Sequence, residues 1–88
     1  QRIMEARAYV TRELRAEGFT VLDSLGNFVF ASPGRMGAKQ LKDELRERGI
    51  LVRHWDKPKI GNYLRITVGT MQEMQALMAA IEMIFGRA

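Results

Sequence analysis

The chain has 88 residues, with 14 Lys and Arg against 10 Asp and Glu, for a net charge of +4. Apolar residues make up 47% and charged residues 27%, which is the balance of one small folded domain with a thin core and not of a disordered segment. The absence of cysteine and the single histidine exclude disulfide scaffolds, thiolate zinc, iron–sulfur clusters, cysteine nucleophiles and multi-histidine metal sites.

In chain order, residues 2–17 carry apolar positions at helical spacing, Ile3, Ala6, Val10 and Leu14, with Glu5, Arg12, Glu13 and Glu17 opposite. Gly18 is a suitable stop, because glycine tolerates the left-handed conformation that closes many helices. Phe19 to Leu22 is rich in aromatic and β-branched residues and predicts a strand. Asp23-Ser24-Leu25-Gly26 is turn chemistry. The next strand is expected over Asn27 to Ala31, with Phe28 and Phe30 on one face and Val29 on the other. Apolar character on both faces suits an interior strand.

Ser32-Pro33-Gly34 interrupts the pattern. A second helix is predicted over 37–48, with Leu41 and Leu45 inward and mostly charged residues outward; Gly49 ends it. Ile50 to His54 predicts a strand. Asp56 to Gly61 is a polar loop holding Lys57, Pro58 and Lys59. Tyr63 to Val68 is the last strand, with Leu64, Ile66 and Val68 on one face and Tyr63, Arg65 and Thr67 on the other. Thr70 and Glu73 have the spacing of a capping box, opening a helix that runs to about Phe85 with Met71, Met74, Leu77, Met78, Ile81 and Phe85 as its apolar stripe. The order α-β-β-α-β-β-α predicts an α+β fold, a small sandwich of helices on a mostly antiparallel or mixed sheet.

No apolar run approaches the roughly 20 residues of a membrane helix, and no signal peptide is visible. The chain starts at Gln1 already inside a helical pattern, so residues 1–88 are read as one domain of a longer protein.

Arg65 is the residue most open to chemistry. It stands mid-strand between two core positions and therefore points to the opposite face. A guanidinium there needs a partner. A cross-strand carboxylate would serve, but Asp23 and Asp56 lie in turns. An external carboxylate or phosphate would serve equally, through a planar fork. Arg53 ends its strand and could converge with Arg65 on one anion if the two strands are neighbours; otherwise it is an exposed strand-end arginine. His54, beside Trp55, is read as a strand-end residue before a general base, and Asn27 as a turn residue. Four of the six methionines lie in the last helix, at 71, 74, 78 and 83; three of them follow its buried stripe and are read as core filler. The basic balance raises nucleic acid, but Gly26-Asn27-Phe28-Val29-Phe30 lacks the flanking basic residue and the second motif of an RNA-recognition module. Lys57-Pro58-Lys59 is a weak phosphate patch. No Ser-His-Asp set, Walker loop or Rossmann fingerprint is present.

Ser24-Leu25-Gly26-Asn27-Phe28-Val29, then Arg48-Gly49-Ile50-Leu51-Val52-Arg53, then Leu64-Arg65-Ile66-Thr67-Val68-Gly69-Thr70 follow one another. In this order and spacing they resemble the C-terminal small domain of histidinol-phosphate aminotransferases, which are fold-type I enzymes using pyridoxal 5′-phosphate. The resemblance covers nearly the whole chain. It implies an aminotransferase small-domain fold. Arg65 would then grip the substrate's anionic end, and Arg53 would help hold the phosphate of histidinol phosphate. Asn27 matches a recurrent family position and is given no contact. The resemblance further implies 2-oxoglutarate and glutamate as the second substrate pair, a homodimeric cytoplasmic whole enzyme and a place in histidine biosynthesis, with neither nucleic acid nor membrane as partner. The resemblance also implies that the Schiff-base lysine and most of the cofactor site lie upstream of Gln1; Lys39, Lys42, Lys57 and Lys59 sit on a helix or in a polar loop, and none is placed like a desolvated Schiff-base lysine. The isolated chain is therefore expected to be inactive. An aromatic amino-acid aminotransferase and a decarboxylase of a phosphorylated amino acid, both of the same fold, are the alternatives; a small basic nucleic-acid-binding module is the alternative outside it.

Overall fold

A computed structural model describes residues 2–22, 26–58 and 61–87. Its elements are α1 (Arg2–Ala16), β1 (Thr20–Leu22), β2 (Phe28–Ser32), α2 (Ala38–Glu47), β3 (Arg53–His54), β4 (Leu64–Thr67) and α3 (Met71–Arg87). The order and the α+β class match the expectation. Of the turn expected at 23–26, only Gly26 belongs to the described residues; its φ is +80°.

The four strands form one sheet in the order β1-β2-β4-β3, and every pairing is antiparallel. Both β2 and β3 run antiparallel to β4, so they are parallel to each other. The connection through α2 therefore passes over β4 and delivers β3 to its far side. This crossover makes β4 an interior strand and sets Arg53 beside it.

Strand alternation divides the sheet into two unlike faces. Val21, Val29, Ala31, Leu64 and Ile66 are buried, in one core with Ala6, Val10 and Leu14 of α1, Leu41 and Leu45 of α2, and Leu77, Met78 and Ile81 of α3. All three helices thus cover that face. The other face carries Phe28, Phe30, Arg65 and Thr67, with Arg53 alongside. The inward stripes of α1 and α2 fall where periodicity put them, save that the side chain of Ile3 lies outside the described residues; α3 departs from its expected stripe. Met71 is 37% exposed at its first turn, while Ala80 and Ile84 are buried in its place.

Helices α1 and α2 end in the same device. Gly18 (φ +94°) and Gly49 (φ +80°) hold the left-handed position. Phe19 N–H donates to the Leu14 carbonyl at 3.0 Å, and Ile50 N–H donates to the Leu45 carbonyl at 2.9 Å. Each bond closes a Schellman motif, with an apolar residue after the glycine meeting one in the last turn. This corrects the strand expected over Ile50–His54, which is only Arg53–His54. The Ile50 amide is already committed to the helix end, so the chain joins the sheet three residues later as a short edge strand, a form that resists unwanted edge pairing.

The capping box of α3 forms as expected. Glu73 N–H donates to Thr70 Oγ1 at 3.1 Å and Thr70 N–H donates to Glu73 Oε1 at 2.8 Å. A Cβ at Gly69 would collide with that carboxylate, so glycine before the cap lets Glu73 fold back.

Gly34 is a close approach. A Cβ there would lie 2.7 Å from the carbonyl oxygen of Gly18, which joins the α1–β1 turn to the β2–α2 segment. Gly34→Ala is expected to cost about 1–3 kcal/mol, because rigid backbone must shift. A thermal midpoint unchanged within about 2 °C, where about 1 kcal/mol already moves a domain of this size by several degrees, would contradict that contact.

Candidate anion site

The site grows from the register of three strands. Phe30 pairs with Arg65, and Arg65 pairs with Arg53, so the three side chains leave the same sheet face in a row. The two arginines predicted as candidates are direct cross-strand neighbours. Like charges in that position repel, and an anion between them would reverse the sign of the interaction.

Arg65 is held by rings. Its guanidinium carbon lies 4.3 Å from the centroid of Phe28 and 5.5 Å from that of Trp55. The guanidinium carbon of Arg53 also lies 5.5 Å from the Trp55 centroid. Trp55 in turn meets Phe30 at 6.5 Å with a tilt of 31°. Cation–π attraction holds the charge without neutralising it. No carboxylate among the described residues lies within ion-pair distance of either arginine. The Arg65 Nε is buried and has no hydrogen-bond partner among the described residues. A buried N–H left in this state costs about 1–3 kcal/mol until an acceptor arrives.

Two side chains close the loop that follows Trp55. His54 Nε2 lies 2.6 Å from the Gly61 carbonyl oxygen, a hydrogen bond that gives this histidine a structural place. Asn62 Nδ2 donates to Ser32 Oγ at 2.9 Å, and Asn62 Oδ1 accepts from the Ala38 N–H at 3.1 Å. The N-cap residue of α2 is Gly37, which has no side-chain cap, so Asn62 serves that end of the helix from a distant part of the chain. Neither this role of Asn62 nor the grip of Trp55 was legible locally. The signal that existed was the placement of Phe28 and Phe30 on one strand face.

The remaining candidates lie elsewhere. The backbone of Asn27 accepts from the Val68 N–H at 2.6 Å, while its side chain is exposed. Lys57 is exposed and Lys59 lies outside the described residues. Two arginines of α1 reach the sheet. Arg7 donates to the carbonyls of Gly26 (2.6 Å) and Phe28 (3.1 Å), and Arg15 donates to that of Val21 at 3.0 Å. These bonds pin α1 to the ends of β1 and β2. Among the described residues no group of three or more His, Cys, Asp and Glu is placed to hold a metal ion.

The profile of the family described as aminotransferase class I and II matches residues 1–81. The chain belongs to that family. Curated relatives include histidinol-phosphate aminotransferase 2 of Psychrobacter arcticus, 48% identical over 82 residues, with 93% of this chain and 22% of the relative covered. Histidinol-phosphate aminotransferase of Microcystis aeruginosa is 43% identical over 86 residues, covering 98% of this chain and 25% of the relative. A solved chain from Erwinia carotovora atroseptica, provisionally assigned as a histidinol-phosphate aminotransferase, superimposes with a TM-score of 0.85. It has 26% identity over 98% of this chain and 24% of its own. A decarboxylase from Sulfurospirillum multivorans gives a TM-score of 0.78 at 28% identity, covering 93% of this chain and 25% of its own. The chain thus spans about a quarter of the length of these curated relatives.

Class I and II aminotransferases work in general with pyridoxal 5′-phosphate, which a lysine amine must hold. The described lysines of this chain do not fit that task. Lys39 is exposed and lies 3.8 Å from Asp43, Lys42 is half-buried on α2, and Lys57 is exposed in the loop. What this chain offers is a pair of neighbouring arginines on one sheet face, with no carboxylate partner among the described residues.

Proposed function

We propose that this chain is the substrate-gripping part of a histidinol-phosphate aminotransferase, which passes the amine of histidinol phosphate to 2-oxoglutarate. The observation that carries the reading is the Arg53–Arg65 pair on one open sheet face, with the Arg65 Nε buried and unsatisfied. The curated relatives bearing that name support it.

Two guanidiniums suit a reaction with two unlike anions. One substrate carries a phosphate and no carboxylate; the other carries carboxylates. A planar fork pairs with either oxyanion through two parallel bonds, so one site serves both in turn. Seating the anion also orients the reacting carbon of the substrate, and orientation is a large part of what binding contributes to rate. The cofactor lysine belongs, in this proposal, to the three quarters of the relatives' length that this chain does not span, so the 88-residue chain alone transfers no amine. The proposal includes a homodimeric cytoplasmic enzyme; among the described residues no helix is long and apolar enough to cross a membrane.

The test is glutamate formation from 2-oxoglutarate by the full-length protein with cofactor supplied. Histidinol phosphate is expected to be the preferred donor. Preference for an aromatic amino acid would keep the family and move the substrate. Carbon dioxide release from a phosphorylated amino acid would favour the decarboxylase, to which the fold is also similar. The chain has one tryptophan, and Trp55 touches both arginines. Its fluorescence in the 88-residue chain should therefore respond to histidinol phosphate, and an unresponsive emission would count against the grip.

A further inference from the structure

Arg53 and Arg65 are cross-strand neighbours, and no carboxylate among the described residues pairs with either. Free guanidiniums on neighbouring strands would lower their repulsion by swinging into water. Arg53 sits on a two-residue edge strand and is exposed, so little in the backbone restrains its side chain. Among the described residues, Trp55 is the group that contacts both charges, with each guanidinium carbon 5.5 Å from its ring centroid.

The indole is itself restrained. It packs against Phe30 at 6.5 Å. The backbone on either side is held by β3 and by the His54–Gly61 hydrogen bond of 2.6 Å. Phe28 takes Arg65 at 4.3 Å, while the Trp55 ring lies by both guanidiniums. Trp55 is therefore placed to set the separation of the two charges.

We infer that Trp55 is the positioning residue of the anion site: its indole holds Arg53 and Arg65 as a pair, doing by cation–π contact what a bridging carboxylate would do at the cost of cancelling their charge. The inference rests on the anion-gripping reading of that pair. A carboxylate between the arginines would compete with the substrate. An aromatic face attracts both cations and leaves their hydrogen-bonding edges vacant for an oxyanion.

The experiment is a titration of the 88-residue chain with inorganic phosphate, followed through the Nε–H resonances of its arginines. In the wild type, Arg65 and Arg53 should shift together with one dissociation constant. Their side-chain methylene protons should lie upfield, because they sit against an aromatic ring. Trp55→Leu is expected to weaken phosphate binding about tenfold, the scale of two cation–π contacts, while Trp55→Phe restores most of it. In the Trp55→Leu background, Arg53→Gln should cost much less affinity than it does in the wild type, because the pair is already uncoupled. A folded Trp55→Leu chain that binds phosphate as tightly as the wild type would overturn the inference. So would Arg53 and Arg65 protons without upfield shifts, a result that needs no variant to fold. A wild-type chain whose arginine resonances ignore phosphate would remove the grip itself, and this inference with it. Phosphate binding that survives Trp55→Leu with additive arginine effects would leave the grip standing and remove only the role of Trp55.

Discussion

Arg65→Met is expected to lower kcat/KM of the full-length enzyme by about 10²–10⁴-fold for both histidinol phosphate and 2-oxoglutarate, while leaving the domain about as stable as before. The loss follows from two charge-assisted bonds of about 1.5–3 kcal/mol each, at about 1.4 kcal/mol per factor of ten. The neutrality in stability has a different origin. Arg65 makes no ion pair among the described residues, it faces Arg53, and its Nε lacks a partner. Removing it relieves those costs and gives up cation–π contacts worth about 0.5–2 kcal/mol. A methionine sulfur on the same rings restores much of that. Arg65→Lys should also be severe, because an ammonium has no fork. Arg12→Lys, on a side chain 70% exposed, should be nearly silent. Steady-state kinetics and thermal melts of the three variants make the check. Equal, small effects of Arg65→Lys and Arg12→Lys would refute the grip, and a large drop in melting temperature for Arg65→Met would show that the arginine is structural.

Leu64→Ala should do the opposite. Leu64 is fully buried on the interior strand β4, directly before Arg65. Truncating it removes buried methyl groups and leaves a void in the core that the sheet shares with the helices. The expected cost is about 3 kcal/mol, a large part of the 5–15 kcal/mol that holds a domain together. For a domain of this size the midpoint should fall by roughly 12–24 °C. Below the new midpoint, phosphate binding should survive within a few-fold, because the anion face is the other side of the sheet. A melt shifted by less than about 4 °C would mean that the core closes over the gap. Neighbouring positions on one strand would then separate stability from binding.

That separation was readable in the sequence at β4, where Leu64, Arg65 and Ile66 alternate and strand period alone sends Arg65 to the face away from the core. The capping box at Thr70 and the glycine stops were readable for the same reason: each depends on residues within five positions. What escaped is long-range. No local pattern tells that Asn62 serves the first turn of α2, that Arg7 and Arg15 reach strand carbonyls instead of water, or that Trp55 lies against two arginines. These contacts depend on which strand lies beside which, and the crossover through α2 decides that. Ile50 to Val52 look like strand by composition. A helix terminus claims the Ile50 amide, a competition that apolar composition does not record.

With all three helices on one side of the sheet, Arg53 and Arg65 stand on a wall and not in a cleft. In bulk water two unit charges 4 Å apart attract by about 1 kcal/mol; at an effective permittivity near 20 the same pair reaches about 4 kcal/mol. In the proposed grip, the strength of the hold is therefore set by what covers the wall: the same arginines would hold an anion loosely when wet and tightly when dry. An anion bound more tightly in the covered state draws the equilibrium toward cover by that difference in affinity. In the proposed enzyme, departure of the product would require the wall to wet again, so the low permittivity that strengthens capture would also slow release.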